Sequence, residues 1–131
     1  MVVRGTRGAD AYRRIEAESR SPMELVVMLY DGAIRFVGEA RAAIARGDVR
    51  ARTDATRRAL DIVSELHMTL NVKEGGDIAR ELDRLYMYIK EKLLAVTRGD
   101  ALAAEEIHKL LGTLREGFSR AAVPGTTAPT P

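Results

Sequence analysis

The stretch Ser21-Pro22-Met23-Glu24-Leu25-Val26-Val27-Met28-Leu29-Tyr30 decides how this chain folds. Its first four residues spell a helix start. Ser21 suits the N-cap, Pro22 the first helical position, where its missing N–H costs nothing, and Glu24 the third, where it can reach back to the cap. Nothing then stops the helix. Proline occurs only at positions 22, 124, 129 and 131, so residues 23–123 carry none. Ala, Leu, Arg and Glu dominate that span and are good helix formers.

Working outward, the breaks fall at glycine–aspartate pairs. Gly47-Asp48, Gly75-Gly76-Asp77 and Gly99-Asp100 each place a helix-ending glycine before a fresh N-cap. The predicted helices are 22–46, 48–71, 77–98 and 100–122, each ~30–37 Å long at 1.5 Å per residue. Short connections force neighbours to run antiparallel. The expected fold is all-α: an up-down four-helix bundle with a short extra N-terminal helix around Asp10–Glu18. Residues 1–122 read as one domain, with 1–9 a flexible arm. Residues 123–131, Val-Pro-Gly-Thr-Thr-Ala-Pro-Thr-Pro, carry too few apolar side chains to pack and are expected to be a disordered tail.

Apolar residues at three- and four-residue steps predict the core stripes. They are Leu25, Leu29, Gly32, Phe36, Ala40 and Ala43 in the first helix, and Ala55, Ala59, Ile62, Leu66 and Leu70 in the second. The third offers Ile78, Leu82, Leu85, Ile89, Leu93 and Val96, and the fourth Ala103, Ile107, Leu110, Leu114 and Phe118. Two helices carry apolar residues beyond one stripe. Met23, Val26, Val27, Tyr30, Ile34 and Val37 lie beside the first stripe, and Met87, Tyr88 and Leu94 lie off the third. A surplus of this kind belongs either to a deeply buried helix or to a surface that receives an amphipathic partner. The partner reading puts Val26, Val27, Tyr30, Ile34, Met87 and Leu94 on that surface.

Composition removes several function classes. The chain has 131 residues, 46% hydrophobic and 31% charged, which suits one soluble domain with a real core. No cysteine is present, so thiol chemistry, disulfides and thiolate–metal sites are excluded. Di-iron bundles need a Glu-x-x-His pair on two helices. Here only Glu105 and His108 have that spacing, and His108 is expected at the surface. No cofactor or metal is expected, and two histidines support no nucleophile–base set. The arginines are scattered and no reader motif appears, so nucleic acid is not an expected partner. No apolar run is long enough to span a membrane, and the polar, glycine-rich first ten residues do not resemble a signal peptide. The expected location is the cytoplasm.

Four segments together resemble the FliS family of flagellin export chaperones. The first is Ala11-Tyr12, followed by Ser21-Pro22, Leu25 and Met28-Leu29-Tyr30-Asp31-Gly32-Ala33-Ile34. The second is Gly75-Gly76-Asp77-Ile78-Ala79, then Leu82 and Leu85-Tyr86-Met87-Tyr88-Ile89. The others are Gly47-Asp48 and Ile107, Leu110-Leu111, Leu114-Arg115-Glu116-Gly117-Phe118. Their order and spacing run from about residue 11 to 120. The resemblance implies an antiparallel bundle that binds the disordered C-terminal segment of flagellin, prevents its premature polymerisation and delivers it to the flagellar export gate. It also implies a role for Tyr12 in an N-terminal arm that covers part of the cargo surface and matters at the gate. A cargo-free protein could pair as a homodimer through its exposed stripe. On the residues alone, an adaptor bundle for another amphipathic helix and a metal-dependent bundle enzyme remain open.

Overall fold

The structure, a computed structural model, describes residues 21–122. The N-terminal helix and arm, Tyr12 and the tail expected from the sequence lie outside the described residues. Four helices follow one another: α1 Pro22–Ala45, α2 Val49–Met68, α3 Val72–Thr97 and α4 Ala101–Ala122. Each packs on the next, and α4 closes the ring against α1. The result is an antiparallel four-helix bundle, with no strand among the described residues.

The helix ends follow from the sequence. Ser21 Oγ accepts the Glu24 N–H at 3.1 Å, and the Ser21 N–H donates to Glu24 Oε1 at 2.8 Å. This capping box fixes where α1 begins; losing the Ser21 hydroxyl would cost about 1 kcal/mol. At the other end of α1, the Gly47 N–H donates to the Ile44 carbonyl and the Asp48 N–H to the Ala43 carbonyl. Gly99 and Asp100 repeat that pattern on Val96 and Ala95 at the end of α3. This geometry needs a left-handed residue, and Gly47 and Gly99 sit at φ 71° and 95°. Each aspartate then caps the following helix, Asp48 accepting from the Ala51 N–H and Asp100 from the Ala103 N–H, both at 3.0 Å. One Gly-Asp pair thus ends one helix, starts the next and reverses the chain. Gly76 does the third job differently: at φ 66° and ψ −143° it kinks α3 after its first turn.

The core is centred on Tyr30, Val37, Val63, Leu66, Ile89, Leu93, Ile107 and Leu111, with alanines between them. Helix by helix it is rotated from the expected stripes. In α1 the buried residues are Val27, Tyr30, Ala33, Val37, Ala40 and Ala43. Leu25, Leu29 and Phe36 are only half-buried. Val27 and Tyr30, expected on a partner surface, therefore belong to the bundle interior. The reason is the width of the α1 apolar arc, whose middle faces inward while its edges meet the flanking helices. Ile78, expected in the core of α3, is exposed, and Ala79 and Tyr86 take the inner positions. In α4, Ala104 and Leu111 are buried, while Leu110, Leu114 and Phe118 flank the core. Gly32 lets α1 and α2 approach closely, for a Cβ there would stand 3.0 Å from Ile62 Cδ1.

Candidate functional site

Antiparallel packing brings the start of α1, the end of α2, the start of α3 and the end of α4 to one end of the bundle. An apolar cavity of about 680 Å³ opens there. Met23 and Val26 line it from α1, Leu66 and Leu70 from α2, Ala79, Leu82 and Tyr86 from α3, and Leu114, Gly117 and Phe118 from α4. Small residues keep it open. A Cβ on Gly75 would fall 2.4 Å from the Ala79 Cβ, so only glycine fits, whereas one on Gly117 would meet nothing within 4 Å.

Tyr86 joins the cavity wall to a polar network inside the bundle. The Tyr30 and Tyr86 hydroxyls lie 2.6 Å apart, joining α1 to α3 across the core. Phe118 stacks on Tyr30 with ring centres 5.4 Å apart, and His67 tilts against Tyr86 at 5.6 Å. His67 Nε2 is in turn 2.6 Å from Asp83 Oδ1, tying α2 to α3. Burial, with Tyr86 beside it, pushes the Tyr30 phenol far above its ordinary range, and burial also raises Tyr86. Both stay neutral and serve as hydrogen-bonding groups.

A second apolar surface, a groove of about 620 Å³, runs along the outside of α2 and α3. Leu60, Met87 and Leu94 form its floor, and Arg84, Lys90 and Glu91 flank it. Met87 and Leu94 are 59% and 53% exposed, and seven residues apart they share one helix face. Side chains this apolar and this exposed, with an adaptable methionine among them, suit a docked helix.

The six candidate residues within the described span do not form one surface. Met87 and Leu94 meet in the α2–α3 groove. Val26 lines the end cavity. Ile34 is half-buried against the core, and Val27 and Tyr30 are inside it. Leu60, on the groove floor, was passed over by sequence reasoning, while Leu66, Leu82 and Phe118, expected in the core, lie in it or against it and line the end cavity as well. The available signal for that cavity was the paired glycines 75–76, which leave one end of α3 without side chains to fill the bundle. Gly38 receives the His108 ring, whose Nε2 would stand 3.5 Å from an added Cβ. His108 is therefore a half-buried seam residue between α1 and α4 rather than a surface one. Among the described residues no three metal-ligating side chains gather, and no helix is long and apolar enough to cross a membrane.

The sequence profile of the family described as Flagellar protein FliS matches residues 5–124. The chain belongs to the FliS family. It is similar to the flagellar secretion chaperone FliS of Salmonella typhimurium, 37% identical over 119 residues that span 86% of this chain and 88% of that one. The flagellar secretion chaperone FliS of Vibrio cholerae is 26% identical over 116 residues, covering 85% of each chain. That of Campylobacter jejuni is 38% identical over 77 residues, 59% of this chain and 60% of that one. FliS is a family of flagellar secretion chaperones and not of enzymes.

Proposed function

We propose that this FliS-family protein is a stoichiometric export chaperone of the cytoplasm. It binds the disordered C-terminal segment of flagellin, keeps it from polymerising too early and presents it to the flagellar type III export gate. Two apolar surfaces on a small four-helix bundle, the end cavity and the Met87–Leu94 groove, carry this reading. A disordered guest must bury enough apolar surface to offset the cost of ordering it, and two separated surfaces let one segment wrap and gain contact at both. Tyr12 acts in this proposal at the N-terminal arm, on the cargo surface and at the gate. Without cargo, the exposed α3 face is the one through which two copies would pair.

Titration calorimetry with a peptide of about the last forty residues of the same organism's flagellin tests it, with circular dichroism on the mixture. One-to-one binding, a negative heat-capacity change and a gain of helix support the proposal. A folded sample that binds nothing refutes it.

A further inference from the structure

The Tyr30–Tyr86 pair has two hydroxyl protons and one hydrogen bond. One phenol donates to the other, which leaves the acceptor's own proton unspent. Tyr30 is 0% exposed and does not reach the cavity, while Tyr86 is 2% exposed and lines it. The arrangement in which Tyr30 donates is favoured, because it spends the proton of the residue that has no other outlet and leaves the unspent one on Tyr86, the partner that lines the cavity. A buried O–H without an acceptor is destabilising, and native structures rarely keep one. The other lining hydroxyls are spent on their own helices: Thr69 donates to the Leu66 carbonyl at 2.8 Å and Thr113 to the Lys109 carbonyl at 3.2 Å. Tyr86 makes no second hydrogen bond among the described residues.

We infer that the Tyr86 hydroxyl is the specificity-determining donor of the cavity, and that it takes a carbonyl oxygen from an apolar segment of the guest polypeptide. The inference rests on the chaperone reading for the identity of the guest. A largely apolar wall with a few polar side chains, here Thr69, Asn71, Tyr86 and Thr113, is the usual form of a site that fixes the orientation of what it binds. The apolar lining supplies affinity for any greasy segment. Tyr86 sets the register, because a segment seated one residue out of place leaves its carbonyl and the phenol both unpaired. A purely hydrocarbon occupant leaves the proton unsatisfied.

The test uses the full chain and four forms: wild type, Tyr30→Phe, Tyr86→Phe and the double variant. Tyr86→Phe also orphans the Tyr30 proton and is expected to melt earlier, so the double variant, with both phenols removed, separates binding from stability. Affinity for the flagellin C-terminal peptide is expected to fall about three- to tenfold in Tyr86→Phe and equally in the double variant, and to hold in Tyr30→Phe. The Tyr86 hydroxyl proton, watched by NMR, is expected to become slow to exchange when the peptide is added. Unchanged affinity in both variants lacking the Tyr86 hydroxyl overturns the inference. So does a hydroxyl proton already protected and unmoved by the peptide, which would assign the acceptor to residues 1–20 of this chain. If wild type binds no flagellin peptide, the chaperone reading fails separately. Acetyl-Leu-Leu-amide then decides the site: cavity shifts lost in the double variant uphold the Tyr86 donor, and no shifts, or shifts kept in the variant, overturn it.

Discussion

Arg52, in the first turn of α2, donates from Nε to the Thr97 carbonyl at the last turn of α3, 3.0 Å away. α3 has no basic residue of its own in that turn. A neighbouring helix thus supplies the cation that the carbonyl end of the α3 dipole favours. Gly99 leaves space for this, since a Cβ there would lie 3.3 Å from Arg52 Nη1.

Arg52→Ala is therefore expected to destabilise the bundle by about 1–2 kcal/mol, and Arg52→Lys by less, because a single ammonium keeps the charge but not the guanidinium geometry. Urea denaturation of the three proteins measures it. Equal stability of wild type and Arg52→Ala would mean that water replaces the guanidinium without loss.

Glycines of two kinds should respond in opposite directions to alanine. Gly47 sits at φ 71°, where an L side chain is strained, so Gly47→Ala is expected to cost about 1 kcal/mol. Gly112 lies inside α4 with nothing within 4 Å of an added Cβ, so Gly112→Ala is expected to gain about 0.5–1 kcal/mol from helix propensity. Thermal melts of both variants check the pair of signs together.

These glycines also mark how far the sequence could be read. Helix number and most ends were legible because they are written locally, in the pairs Gly47-Asp48 and Gly99-Asp100 and in Ser21-Pro22-Met23-Glu24, whereas Gly75-Gly76-Asp77, read as the turn before a helix starting at 77, is a kink inside α3, which begins at Val72. The inward face of α1 was not. Its apolar residues cover most of a turn, so periodicity alone allows several rotations, and only packing against α2 and α4 sets Tyr30 inside and Phe36 at the edge. The α3 surplus was legible because Met87 and Leu94 stand on an otherwise charged face. The end cavity was not, since it is made by four chain segments far apart in sequence, and the Tyr30–Tyr86 contact joins residues 56 apart.

The α1–α4 seam should be sensitive to acid. Burial, and then the Arg41 charge, lower the pKa of His108 from its ordinary 6.5. The folded state therefore prefers the neutral ring. Between the depressed folded pKa and the unfolded one, the unfolded chain binds more protons, so stability rises with pH in that window. The contribution is fully present above about pH 6.5 and is lost as pH falls through the folded value. His108→Gln removes the titration, and the stability difference between wild type and variant should shift against wild type as the buffer is taken from pH 7.5 towards pH 5. A difference that stays constant over that range would show that His108 contributes nothing to the acid response.

Tyr30 and Met87 were candidates for the same surface, and the structure makes them answer differently to one substitution. Tyr30→Asp places a carboxylate at a fully buried position beside Tyr86 and Phe118, and is expected to cost more than about 3 kcal/mol and to unfold much of the protein. Met87→Asp and Leu94→Asp alter exposed positions and are expected to change stability by less than about 0.5 kcal/mol. They put charge on the floor of the α2–α3 groove, so they should weaken the flagellin peptide by about tenfold or more if a guest helix lies there. Calorimetric affinity and melting temperature, measured on all three, separate the roles. Met87→Asp and Leu94→Asp proteins that melt normally and bind normally would remove the groove from the guest's path and leave the end cavity as the site of binding.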